Sequence, residues 1–250
     1  MSTKPEPAAP GTAIVSWKEQ MGKIAAQAAS SEAPKGGFLS FKGGNMSYDD
    51  QPIPGNKMEV IVIDFLLENG IFREKYNPNK PSSPMCYAFG RDEEELAPHP
   101  DAEEPQHTNC KDCPNNEWGS DPDGGRGKAC KNTRRIAIIP ADALTKGLEG
   151  VRRANVVMCK IPVTSIKLFS TYVNQCTSVM GSPPFGIVGE LSTKPHPQNL
   201  FSVNWKPLEK VENPEMLEAL YNKYVSIQKQ MFQPYPSNEE EATSKSSKKF

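Results

Sequence analysis

The chain has no run of about 18 apolar residues, the length that a membrane-spanning helix requires. Its opening stretch, "MSTKPEPAAPGT", carries no apolar segment of the secretory type. Both absences set the expectation of a soluble, cytoplasmic protein with no membrane partner. Excess charge is missing too: a net charge of -1 gives no overall pull toward an anionic partner, so any electrostatic recognition must be local. Histidine is scarce, at three residues, and none has a glutamate two positions on, as the zinc deaminase pattern demands. There is no His-Glu-x-x-His pair and no nucleophile elbow. "GGRGKAC" resembles a phosphate loop only in part, because Pro122 and Ala129 stand where Walker A needs Gly and Ser or Thr. No clustered carboxylates suggest a catalytic metal, and the expectation is a protein that is not an enzyme.

Apolar residues are also few. A 36% share, a mean hydropathy of -0.59 and 24 prolines leave about a quarter of the chain as tail or loop. Residues 1–12 and 234–250 read as disordered tails, and 13–233 as one domain with a loop insertion at about 86–133. Within that domain "IVSWKEQMGKIAAQAA" has helical spacing, with Ile14, Trp17, Met21, Ile24 and Ala25 on one stripe. "KMEVIVIDF" reads as a strand with both faces covered, Val60, Val62 and Asp64 on one and Ile61, Ile63 and Phe65 on the other. "ENG" then predicts a hairpin turn. Residues 91–107 hold seven acidic residues and little to bury, which predicts an exposed loop. "SSPMCYAFG", "RRIAIIP" and "ANVVMCKIPV" are further strands, and "FGIVGELST" and "NLFSVNW" form a hairpin. "TSIKLFSTYVNQCTSVMG" is an amphipathic helix capped by Thr164 or Ser165 and ended by Gly181. "NPEMLEALYNKYVSIQKQMF" is a second, with Asn213 as cap and Pro214 at its first position. Strands with few helices and short connections predict a mainly β, α+β fold: an OB-like small barrel with an inserted zinc-binding loop.

Six cysteines in a reducing compartment point to metal or to burial rather than to disulfides. Cys110 and Cys113 have the two-residue spacing that aims two thiolates at one ion, and Cys86 and Cys130 complete a tetrahedral set for zinc. His99 and His107 are the alternative ligands. A loop this polar has no core of its own, and a metal can fold it. Four thiolates leave no open position, so the Zn2+ is expected to be structural. Cys159 and Cys176 fall on a strand and a helix stripe and read as core.

Between 126 and 135 stand five basic residues and no acid: Arg126, Lys128, Lys131, Arg134 and Arg135. Gly124, Gly125 and Gly127 offer backbone amides that can hold an anion. Trp118, Tyr87 and Tyr76 are candidates to stack on unpaired bases. Cations and flat rings on a pinned loop suit a single-stranded nucleic acid. The plainer reading, a solvated basic face with Trp118 covering the cysteines, competes with it.

"CPNNEWGS" (113–120), "GRGKACK" (125–131) and "RRIAIIP" (134–140) resemble a group of bacteriophage zinc-containing single-stranded DNA-binding proteins. That resemblance implies an OB-like barrel with a zinc loop that coats unpaired strands in phage DNA replication or recombination, inside the host cytoplasm. It also implies contacts from the C-terminal tail to replication or recombination proteins. The chain departs from the usual acidic tip there, since Lys248 and Lys249 precede Phe250. The alternative is a zinc-stabilised protein-interaction adaptor of a replication or host-takeover complex.

Overall fold

A computed structural model describes Met21, residues 37–74 and residues 82–235. Apart from Met21, the helix expected from Ile14, the N-terminal tail, residues 236–250 and Tyr76 lie outside the described residues, whereas Pro234 and Tyr235, expected in the disordered tail, are ordered because the Tyr235 ring packs against Tyr87 and Phe89. The chain divides into two units, 1–36 and 37–250, and the fold described belongs to the second.

That fold is mainly β, with one curled, half-barrel sheet and four helices among the described residues. Its strands are β1 (Phe38–Ser40), β2 (Ser47–Tyr48), β3 (Gln51–Pro52), β4 (Lys57–Ile71), β5 (Cys86–Gly90), β6 (Lys131–Pro140), β7 (Val157–Ile161), β8 (Ile187–His196) and β9 (Leu200–Lys210). Its helices are α1 (Asp142–Thr145), α2 (Gly147–Arg153), α3 (Ile166–Asn174) and α4 (Pro214–Met231). The sheet runs β3-β2-β1-β7-β6-β4-β8-β9. β4 is the spine. One edge pairs with β6 from Val60 to Gly70, while the other pairs with β8 over Lys57–Ile61 and with β5 over Leu67–Ile71. "ENG" is therefore strand and not turn, because Asn69 has Ala88 on one side and Asn132 on the other to hold it extended.

The concave face gathers Val60, Val62, Ile136, Ile138, Ile161, Leu191 and Trp205 beneath Phe169, Tyr172 and Cys176 of α3 and the π-helical turn after it. Cys159 and Cys176 are core residues here. The convex face packs Ile61, Ile63, Leu66 and Ile139 against Leu220, Ile227 and Met231 of α4. Burial on both sides explains the unbroken apolar run of β4. The curl brings residues 42–44 onto the β8–β9 hairpin, where Thr193 donates to the Gly44 carbonyl. Gly44 has φ 84, and a Cβ there would stand 3.1 Å from that of Phe201, so only glycine fits.

A β-bulge between Val62 and Asp64 corrects the expected facing. It carries Phe65 to the concave side, against Phe169 at 5.2 Å, and sends Asp64 and Glu68 to the convex side. Asp64, 4% exposed, accepts two bonds from Arg91 at 2.9 and 2.7 Å and one from Gln228 of α4 at 3.1 Å. Replacing Arg91 by Ala strands that carboxylate, and urea unfolding should show a loss of about 2–3 kcal/mol. Ser165 is not the expected side-chain cap of α3; its hydroxyl accepts from Val203 N at 2.9 Å and ties the helix to β9. Asn213 does cap α4, accepting from Met216 N at 3.0 Å.

Candidate functional site

Two strand ends and one loop build the cysteine centre. Cys86 opens β5 opposite Ile71, and Cys130 lies just before β6, so the two flank the end of β4. The insertion between them folds back across the sheet. Cys110 N donates to Leu96 O at 2.8 Å, Cys130 N to Asn115 O at 2.8 Å, and the Asn116 amide to Cys110 O at 2.7 Å. The acidic stretch is less exposed than its composition predicts. Leu96 is 2% exposed and packs so close to Gly90 that a Cβ there would stand 2.6 Å from it.

Cys86, Cys110, Cys113 and Cys130 line one small cavity of about 10 Å³, room for about one water-sized sphere. His107 lines it as well, with Nδ1 engaged by the Asn109 backbone. His99 does not line it; its ring stacks on Tyr87 at 5.1 Å. Among the described residues no three His, Cys, Asp or Glu side chains stand in ready metal-binding geometry, so the thiols share a cavity but not a common coordination sphere. Burial, and then the neighbouring thiols, push Cys110 up to about 11 and Cys130 up to about 12, although Asn69 and the Gly70 backbone hydrogen-bond these sulfurs. Such thiols are inert unless something cationic enters among them.

The basic run is distributed unevenly. Trp118 is 77% exposed, and Lys128 Nζ stands 5.5 Å from its ring centroid. Lys128 donates to Asn116 Oδ1 at 3.2 Å, and Asn132 of β6 donates to the same oxygen at 3.0 Å. Arg134 follows two residues later on the same face of β6. It is half-buried, with burial lowering its pKa and only Glu93 opposing, and no carboxylate among the described residues lies within ion-pair distance. Arg126 is exposed on the loop.

The other candidates are committed elsewhere. Lys131 pairs with Asp121 at 3.2 Å. The Gly-rich turn holds an anion of its own, since Asp121 Oδ1 accepts from Asp123 N at 3.1 Å and a Cβ on Gly127 would stand 3.1 Å from Asp121 Oδ2. Arg135 and Tyr87 point to the convex face. Arg135 pairs with Glu68 at 3.2 Å and lies over the Phe89 ring at 3.9 Å, while Tyr87 is 3% exposed. Sequence reasoning missed the Glu68–Lys160–Arg135–Tyr235 cluster to which they belong. Lys160, one charge inside the apolar strand "VMCKI", was the available signal.

The surface therefore presents one open ring and, among the described residues, three cations without an ion pair (Arg126, Lys128 and Arg134) beside a thiol-lined cavity. Comparisons with protein-family models, curated proteins and solved structures returned no match. The roles of these residues rest on their geometry alone.

Proposed function

We propose that this protein binds single-stranded DNA without strong sequence preference, as a non-enzymatic, OB-like barrel carrying a zinc-pinned loop. It would coat unpaired strands in phage DNA replication or recombination. The observation that carries the reading is the exposed Trp118 ring beneath Lys128, continuous through Asn116 and Asn132 with an unpaired, half-buried Arg134. A base stacks on the indole, and phosphates meet Lys128, Arg134 and Arg126. Arg134 is half out of water with only Glu93 opposing its burial and one bond, to Thr133 O at 3.0 Å, so most of its donors are free for an anion.

The donor set suits zinc. Four cysteines lining one cavity supply the donor type and number that tetrahedral zinc takes, although their thiols do not stand in coordination geometry. Burial raises both Cys86 and Cys110, with hydrogen bonds from the Gln106 backbone and the Asn69 side chain opposing it only in part, so the thiolates that ligation needs would have to form as the cation enters. Bound there, the ion supplies no chemistry beyond holding Trp118 and Lys128 in place.

The test is Trp118→Ala. Its affinity for oligo-dT should fall by ~1–3 kcal/mol, roughly 5- to 150-fold, with the melting temperature unchanged. Unaltered affinity would remove Trp118 from the interface. The adaptor reading draws on Tyr221 and Val225, each about half exposed on α4. It requires that no salt-dependent binding to oligonucleotides be seen.

A further inference from the structure

Tyr87 and Arg135, which the fold turns inward, meet in a slot on the convex face. Arg135 stands opposite Lys160 across β6 and β7, and Glu68 stands opposite Phe89 across β4 and β5. Those pairings set a floor of one carboxylate and two cations beside the rings of Tyr87, Phe89 and His99. Tyr87 faces Gly70 across β4 and β5.

The occupant is the chain itself. Tyr235 sits with its ring 5.1 Å from Tyr87 and 5.9 Å from Phe89, and 5.4 Å from the Arg135 guanidinium. Its hydroxyl donates to Glu68 and accepts from Lys160 at 3.2 Å. Arg135 holds the arm leading to it, donating to Met231 O at 3.0 Å and Gln233 O at 2.9 Å. No strand pairing fastens residues 232–235; a few polar bonds and one ring do.

We propose that this slot is a second nucleotide-binding subsite, in which a base of an unpaired strand replaces the Tyr235 ring and its phosphate replaces the Gln233 carbonyl on Arg135. The inference rests on the single-strand reading above. A pyrimidine matches what it displaces: it is flat, it offers a polar edge to Glu68 and Lys160, and it can lie against the rings that Tyr235 meets edge-on (Tyr87) and at a tilt of 33° (Phe89). The floor carries one positive charge more than it neutralises, which suits one phosphodiester. Binding at the slot is then weaker than its contacts alone would give, because the arm must leave first.

The test uses the full chain with a 5-iodouracil-substituted oligo-dT, reading affinity by anisotropy and contacts by photocrosslinking. Tyr235→Ala should tighten binding about tenfold and bring crosslinks to residues 86–90 that the parent shows only weakly. Tyr235→Phe keeps the ring and drops the hydroxyl, so it folds as the parent does and should gain about two- to threefold. Adding Lys160→Gln to Tyr235→Ala should cancel the gain. Unchanged affinity in both single variants, without crosslinks at 86–90 while Trp118 still crosslinks, would overturn the subsite and leave the Trp118 surface standing. A Gln-Pro-Tyr-Pro peptide that displaces the arm where oligo-dT cannot would overturn it too, as a peptide site. If no variant binds and Trp118 never crosslinks, the single-strand reading fails, and the subsite with it.

Discussion

On the proposed reading, replacing Cys113 by Ser is expected to abolish zinc binding and, with it, most of the proposed affinity for single strands. The parent chain should carry about one equivalent of zinc by elemental analysis, and the variant close to none, because three thiolates and a poor hydroxyl ligand do not close a tetrahedron. The loop has little else to hold it. Its apolar packing is two small clusters, Ile71 with Cys86 and Cys130, and Ala88 with Leu96 and Cys110. Structural zinc contributes about 10–16 kcal/mol of folding free energy in isolated zinc modules. Here the strands on either side belong to the main sheet, so the loop should loosen while the sheet persists. Trp118 and Lys128 would then lose their fixed spacing, and the dissociation constant should rise at least about tenfold. Treatment of the parent with a strong chelator should reproduce both effects, and added zinc should reverse them. Parent protein that binds no zinc, or chelated protein that binds DNA unchanged, would sever the metal from the interface.

Glu68→Gln should be the most damaging single change in the sheet. The carboxylate is 1% exposed and holds Lys160 at 2.5 Å and Arg135 at 3.2 Å. Neutralising it leaves two cations facing each other in a desolvated site, a change that costs about 3–5 kcal/mol. For a domain of this size the melting temperature should drop by roughly 10 °C. The pH dependence gives a second check. Burial pushes the Glu68 carboxyl up, but Lys160 and Arg135, with hydrogen bonds from Lys160 and Tyr235, outweigh it and hold the group below its ordinary 4.5. A group depressed on folding stabilises above its unfolded pKa and loses that contribution as pH falls through the folded value. The difference between parent and variant should therefore be full at neutral pH and shrink as the pH drops below about 4.5, measured by urea unfolding along a pH series. A difference that grew toward acid would contradict the assignment.

Much of the fold was legible because the hydrophobic periods are strong. The stripe on α3, the Asn213 cap of α4 and the β8–β9 hairpin all follow from local pattern. What escaped depends on neighbours that local pattern cannot see. A single bulge after Val62 reversed the faces of everything beyond it in β4, and nothing in "VIVIDF" signals an extra residue. "ENG" has the composition of a turn, yet partners on both edges keep it extended. Five positive charges in ten residues looked like one surface. Strand alternation sends Arg134 and Arg135 to opposite faces, and Asp121 engages Lys131 from within the same loop. The cysteine spacing anticipated that Cys110 and Cys113 share one cavity with Cys86 and Cys130; the relative placement of the thiols within it depends on packing that spacing does not specify.

The most direct test is a titration of the purified protein against a fluorescent oligo-dT of about 30 nucleotides, followed by anisotropy at low and moderate salt, with a duplex of equal length alongside. Tight binding to the single strand that weakens with salt, and poor binding to the duplex, is the result expected from one open indole and unpaired cations on a pinned loop. No binding to the single strand at low salt would contradict it, and equal binding to both forms would leave only an unspecific basic face.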